Sequence, residues 1–367
     1  MKITCNRQEL YDAVSNVSRA VSSKSTIQAL EGVLMKAADR LYLSCYDLET
    51  GITTDIAAAV ERRGEIVLSA RLLADMLRRM DSETVEIDCD EKNLTAIRGG
   101  RTEYTILAIP SEDFPSLPTI SDTQEVAVPQ NHLKSMIDQT LFAIAQTDAK
   151  PVQTGAKFIL EEDTLTVVSV DGYRMAVRRE ALSGQQEATF IVPGRTLQEA
   201  SKLLSADSDA PAELYLAKKH IIFHINGYSL ISRLLEGEFL DYKAAIPAGS
   251  ATTVTVNVRA FANSVERSSL MINDRLRSCI RLSFTEEGIG VSCSTALGKV
   301  SDAVPASLTG PNVEMAFNNR YLLDALKACD CDQVKLAING SLSPLKILPM
   351  EGDSFLFLVV PVRFKAD

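Results

Sequence analysis

Hydrophobic and polar positions repeat one arrangement six times along this chain: a short alternating run, then a stretch with an apolar residue every third or fourth position. Alternation marks a strand with one buried face, and the second spacing marks an amphipathic helix. Three runs open at Ile3-Thr4-Cys5-Asn6, Val126-Ala127-Val128-Pro129 and Val254-Thr255-Val256-Asn257. The other three open at Val67-Leu68-Ser69-Ala70-Arg71, Ile191-Val192-Pro193-Gly194-Arg195 and Ala316-Phe317-Asn318-Asn319-Arg320. The helix stripes that follow the first set are Leu10, Ala13, Val14, Val17 and Val21; Leu133, Met136, Ile137, Leu141 and Ile144; and Phe261, Val265 and Ser268. Those of the second set are Leu73, Met76, Leu77 and Met80; Leu197, Ala200 and Leu204; and Leu322, Ala325, Leu326 and Cys329.

The two kinds of run alternate, so the chain reads as three copies of a two-part unit. Arg71, Arg195 and Arg320 stand 124 and then 125 residues apart. Strand patterns at 43–47, 167–171 and 291–295 keep the same register, and Asp113-Phe114-Pro115 returns as Glu238-Phe239-Leu240. A fixed period determines the architecture before any motif is considered. Three α+β domains are predicted, at 1–121, 122–249 and 250–367, each near the common domain size of ~100 to 150 residues.

Composition narrows the class. Hydrophobic residues make up 46% of the chain, enough for a core in each unit. No apolar run approaches the ~18 residues of a membrane span, and no apolar segment follows the charges of Met1-Lys2-Ile3-Thr4-Cys5-Asn6-Arg7, so a cytoplasmic protein is expected. The seven cysteines form no C-x-x-C pair and read as reduced thiols, with Cys5, Cys45 and Cys293 on buried strand faces. Cys329-Asp330-Cys331 is too closely spaced to suggest a metal.

Charge then singles out the helices. The chain carries a net charge of -10, yet the polar faces of the second-set helices hold Arg71 with Arg78 and Arg79, Arg195 with Lys202, and Arg320 with Lys327. A spacing of seven is nearly two helical turns, so each pair forms a short row along the axis. The first-set helices add Arg19 and Lys24, Lys134, and Arg259 and Arg267. Positive charge confined to one repeated element of an acidic chain points to a local nucleic-acid surface, and the two facts agree if DNA is held by topology rather than by affinity.

Several segments carry a family resemblance over the whole length. Val170-Asp171-Gly172-Tyr173-Arg174-Met175-Ala176-Val177, Gly237-Glu238-Phe239-Leu240-Asp241-Tyr242 and Val359-Val360-Pro361-Val362-Arg363, with the Met1-Lys2-Ile3 start, resemble the bacterial sliding clamps, the beta subunit family of DNA polymerase III. The resemblance implies a head-to-tail dimer of three-domain chains closed into a ring, with helices lining the hole and sheets outside. It implies no cofactor and no catalysis, duplex DNA encircled without sequence preference, and a polymerase III alpha-type subunit, a clamp loader and repair proteins as peptide-bearing partners. The basic residues above would then face DNA, joined by Gln146 and Lys150 of a loop that matches the family's DNA-touching loop. The partner pocket carried over comprises Gln153, Val170, Gly172, Tyr173, Arg174, Met175, Leu240, Ala244, Leu358, Val359, Val360, Pro361, Val362 and Arg363. Gln153 stands where the family usually has leucine, Leu240 where it often has proline, and Ala244 where a basic residue is frequent; Phe364-Lys365-Ala366-Asp367 extends past the usual end. The implied dimer contact sets Leu270 and Met271 against Tyr104 and Ile106.

Other classes have less behind them. The chain lacks G-x-S-x-G, a Walker A sequence, H-E-x-x-H and a helix-opening G-x-G-x-x-G, so an uncharacterised enzyme has no motif to rest on. His220 and His224 lie in strand patterns, where i and i+4 are ~13 Å apart, too far to share a metal. Asp47 and Asp171 occupy one repeat position and read as a shared turn. A repeat scaffold that never touches DNA would require the helix arginines to be merely solvated.

Overall fold

The computed structural model describes residues 1–22, 25–147, 149–184, 186–272 and 279–363. It divides into two compact units, Met1–Lys134 with Arg195–Leu234, and Ser135–Gly194 with Leu235–Asp367. Seven α-helices are found among the described residues: α1 (Arg7–Val17), α2 (Ala70–Arg79), α3 (Gln130–Leu141), α4 (Gly194–Leu203), α5 (Tyr242–Ala245), α6 (Val258–Ser269) and α7 (Asn319–Lys327). All six predicted strand-to-helix runs are present.

Short polar side chains start these helices where the strands end. Asn6 accepts from the N–H groups of Gln8 and Glu9, Asn257 from Ala260, and Asn318 from Arg320 and Tyr321, satisfying donors that a helix N-terminus leaves open. Leu73, Met76 and Leu77 of α2 and Leu322, Ala325 and Leu326 of α7 are buried, as the spacing predicts. The first stripe is shorter than predicted. Helix α1 gives way after Val17 to a 3-10 turn at Ser18–Ala20, which leaves Val21 half-buried beyond the helix. Cys5, Cys45 and Cys293 are buried, and burial pushes the Cys5 thiol up to about 12.

In the first unit a nine-stranded antiparallel sheet contains strands from two repeats. Thr50–Ile56 of the first repeat pairs with Tyr228–Arg233 of the second, Thr50 opposite Ser232. A five-stranded sheet ends at the edge strand Thr102–Leu107. The second unit follows the same plan. Arg174–Ala181 of the second repeat pairs with Phe355–Val359 of the third, Arg174 opposite Val359, inside another nine-stranded sheet. Its four-stranded sheet has edge strands Gly298–Val304 and Val313–Phe317. An unpaired strand edge exposes a row of backbone donors and acceptors, and joining sheets across a repeat boundary satisfies them. The joints between repeats are therefore sheet seams, reinforced at the first by the buried hydroxyls of Thr50, Thr196 and Ser232.

Candidate functional site

Arg71, Arg78 and Arg79 on α2, Arg195 and Lys202 on α4, and Arg320 and Lys327 on α7 are all exposed, opposite the buried stripes. Most of this charge faces a carboxylate. Arg78 and Arg79 share Asp75 at 2.8 and 3.2 Å, Lys202 meets Glu199 at 2.8 Å, Lys327 meets Glu266 at 2.5 Å, and Arg195 meets Asp47 at 2.6 Å. Asp47 is the unusual partner, because its side chain is only 4% exposed while that of Arg195 is 53% exposed. Exposed pairs are worth ~0 to 1 kcal/mol each, so a phosphate can compete for these cations, and their field at a distance is weak.

The first-set basic residues divide. Arg259 is exposed, whereas Arg267 is held by Asp302, whose carboxyl the Arg267 guanidinium, with Ser264, keeps below the usual 3.8. Lys134 turns onto α4, donating to the Ser201 carbonyl at 2.7 Å and hydroxyl at 2.9 Å. Arg19 is only partly exposed, and its Nη1 is buried. Lys134 departs from the predicted exposed row because Ser201 on α4 takes up its ammonium, and Arg19 departs from it with one guanidinium nitrogen buried. Gln146 and Lys150 are exposed; Lys24 lies outside the described residues.

The second feature is a partly apolar surface in the second unit where a turn, a helix and the C-terminal segment meet. Asp171 Oδ1 accepts the N–H groups of Tyr173 and Arg174 at 2.9 and 3.0 Å, closing a tight turn with Gly172 at φ +91°, a conformation that favours glycine. Asp47 caps its copy of this turn through the N–H groups of Glu49 and Thr50, so the two aspartates are one structural device used twice. Past the seam, the Val360 N–H donates to the Tyr173 carbonyl at 2.9 Å and the Val362 N–H to the Ala316 carbonyl at 2.7 Å, which covers part of the Val313–Phe317 edge. Tyr173, Leu240, Val360 and Val362 are exposed, above a buried floor of Val170, Met175, Phe239, Tyr242 and Leu358.

Gln153 and Pro361 are half-buried, and Ala244 and Arg363 are exposed; residues 364–367 lie outside the described residues. Two expectations are corrected. Val359 does not line this surface: it alternates to the opposite face from Leu358 and is buried in the core with Phe357, Leu345 and Ile347. Arg174 is 8% exposed and bonded into the protein, so it lies under the surface.

Sequence reasoning missed two contributors. Tyr321 stacks on Tyr173 with ring centroids 5.7 Å apart, and Asp324 pairs with Arg174 at 2.5 Å. The i, i+3 spacing of Tyr321 and Asp324 was the available signal, since it places both on one side of α7. A separate cleft of about 620 Å³ lies between Lys157, Ile191, Phe239 and Lys243 and shares only Leu240 with the predicted pocket residues.

Exposed apolar residues also mark two sheet edges, one in each unit. On Thr102–Leu107, Tyr104 and Ile106 are half-buried, while Leu107 is 73% exposed opposite Leu94. In the second unit Leu270, 79% exposed, caps the end of α6, with Met271 half-buried beside it and Leu297 exposed at the start of the Gly298–Val304 edge strand. His220 and His224 lie in the strand His220–Ile225. Among the described residues no group of three or more His, Cys, Asp or Glu could hold a metal, and no helix is long and apolar enough to cross a membrane.

Comparison with known proteins places these features in a family. Sequence profiles of the DNA polymerase III beta subunit match in chain order: the N-terminal domain at residues 1–118, the central domain at 127–241 and the C-terminal domain at 243–363. The beta sliding clamp of Bacillus subtilis (strain 168) is 29% identical over 99% of this chain and 100% of the relative. That of Staphylococcus epidermidis is 28% identical over 99% of each. Among solved structures, a DNA polymerase III beta subunit from Eubacterium rectale superposes with a TM-score of 0.94 at 30% identity, covering 99% of this chain and 100% of its own. The DNA polymerase sliding clamp from Bacillus subtilis gives 0.95 at 28% identity, covering 100% of both.

Proposed function

Because this chain belongs to the DNA polymerase III beta subunit family, the bacterial sliding clamps, we propose that two copies join head to tail into a ring that encircles duplex DNA and tethers a polymerase to it. The observation that carries this reading is the full-length likeness in sequence and fold to sliding clamps. The protein acts as a processivity factor with no chemistry of its own, in the cytoplasm, through domains 1–121, 122–249 and 250–367.

The charge arrangement supports sliding rather than gripping. A surface whose arginines and lysines are mostly paired attracts phosphates weakly and reads no bases, so the encircled duplex is kept by closure and moves freely. Arg71, Arg259 and the rows on α4 and α7 face the DNA, with Lys150 and Gln146 touching it from their loop. The edge strands Thr102–Leu107 and Gly298–Val304 each have one unpaired side. Pairing them between copies satisfies that backbone and covers Leu107, Leu270 and Met271. A heterologous contact that closes after two copies gives a finite ring.

Tyr173, Leu240, Val360 and Val362 offer an apolar surface on which a partner peptide can lay bulky side chains. A polymerase III alpha-type subunit, a clamp loader and repair proteins reach the clamp through such peptides. The test of the ring is loading by a matched clamp loader onto nicked circular DNA, followed by linearisation. Retention on the circle and loss on linearisation is expected; equal retention on both forms would refute encirclement.

A further inference from the structure

One buried side chain joins the turn to the helix beside it. Arg174 donates from Nε to Asp171 Oδ2 at 2.9 Å, within its own turn, and from Nη1 to Asp324 Oδ2 at 2.5 Å, on α7. Its guanidinium lies 4.6 Å from the centroid of Tyr321 and 5.6 Å from that of Phe142. Tyr321 in turn carries the stacked Tyr173 ring, which is 60% exposed, and the Tyr173 carbonyl holds Val360. Arg174 itself presents almost nothing to solvent.

We propose that Arg174 is a positioning residue for the docking surface: by bridging Asp171 and Asp324 across the face of Tyr321, it fixes the Tyr173–Tyr321 aromatic pair against which a partner peptide packs. The inference rests on the docking reading above. A planar guanidinium is suited to this task, because its fork fixes two carboxylates while its face engages a ring, and no lysine reproduces both. Asp324 sits one helical turn from Tyr321, so the ion pair sets the helix position beneath that ring. The first joint between repeats is the internal contrast. Thr50 stands at the position matching Arg174, and the arginine there comes from α4 and pairs with Asp47. A guanidinium within the turn, under the Tyr173–Tyr321 pair, belongs to the second joint.

The informative variant is Asp324→Asn, which removes one carboxylate from a part-exposed helix position and leaves Tyr173, Leu240, Val360 and Val362 in place. Fluorescence polarisation with a labelled Gln-Leu-Ser-Leu-Phe peptide is measured on the full-length protein, with thermal melting and tyrosine near-ultraviolet circular dichroism alongside. Asp324→Asn is expected to weaken binding on the order of tenfold, a typical coupling between linked groups, with an altered tyrosine signal in protein that circular dichroism shows still folded at the assay temperature. Asp324→Glu, which keeps the charge, is expected to bind like the original protein, and the loss in Arg174→Lys should not add to that of Asp324→Asn. Equal affinity of the original and Asp324→Asn proteins would overturn the positioning role and leave the docking reading standing. Loss of affinity confined to temperatures at which Asp324→Asn is unfolding would overturn it too, as a role in folding alone. No binding by the original protein would instead overturn the docking reading.

Discussion

Replacing Leu270 by alanine should loosen the dimer without disturbing the fold. Leu270 is 79% exposed at the end of α6, so the isolated chain gains little from its side chain, and exposed substitutions change stability by within about 0.5 kcal/mol. In the proposed ring the same side chain is covered at the seam against the edge strand that carries Tyr104, Ile106 and Leu107. Leucine to alanine removes three carbons, and burial of each is worth about 0.8 kcal/mol. Most of that area is newly covered on assembly, so the loss is about 1.5 to 2 kcal/mol at each seam. A two-copy ring has two identical seams, and complete dissociation opens both, for a total of about 3 to 4 kcal/mol. The dissociation constant should therefore rise by roughly two to three orders of magnitude. Sedimentation equilibrium over a dilution series measures it directly, and circular dichroism checks the fold. An unchanged dissociation constant in a folded Leu270→Ala protein would refute the seam, because covering Leu270 is what the proposed contact does.

Removing residues 360–367 should abolish peptide binding in fluorescence polarisation while sedimentation still gives a dimer, since the docking surface and the seam use different residues. Arg71→Glu should reduce clamp loading with the melting temperature unchanged. Arg195→Glu should reduce loading and also lower the melting temperature, because it sets a second carboxylate beside Asp47, whose side chain is 4% exposed; equal melting temperatures would show that the ion pair is idle. The folded carboxyl of Asp302 is held below 3.8 by Arg267. Its contribution is thus full above that value and lost as pH falls through the folded value. Denaturant midpoints of the original and Asp302→Asn proteins should converge in acid, and a constant gap at all pH values would contradict the pairing.

Much of this architecture is legible locally. The stripe Leu73, Met76 and Leu77 places α2, the alternation from Leu43 to Asp47 places a strand, and Asn6, Asn257 and Asn318 stand where helices begin. Each depends on neighbours within a few residues, so the periods of helix and strand expose them to inspection. The three-fold repeat follows from the same local signals, because one period relates them. The basic rows were equally visible, as residues seven apart on polar faces.

Other features depend on which distant segments meet, and no local period encodes that. That Thr50 pairs with Ser232 and Arg174 with Val359 turned the joints between repeats into sheet seams, because strand edges there needed partners. Register at the second seam decided that Val359 packs with Phe357 and Ile347 while Leu358 packs on the opposite face with Met175 and Phe239, since one step along a strand reverses the face. The family resemblance sets Arg174 among the pocket residues. Only folding brought Asp324, 150 residues away, close enough to hold it beneath Tyr321, where a buried guanidinium persists because two carboxylates and a ring face replace the water it gave up.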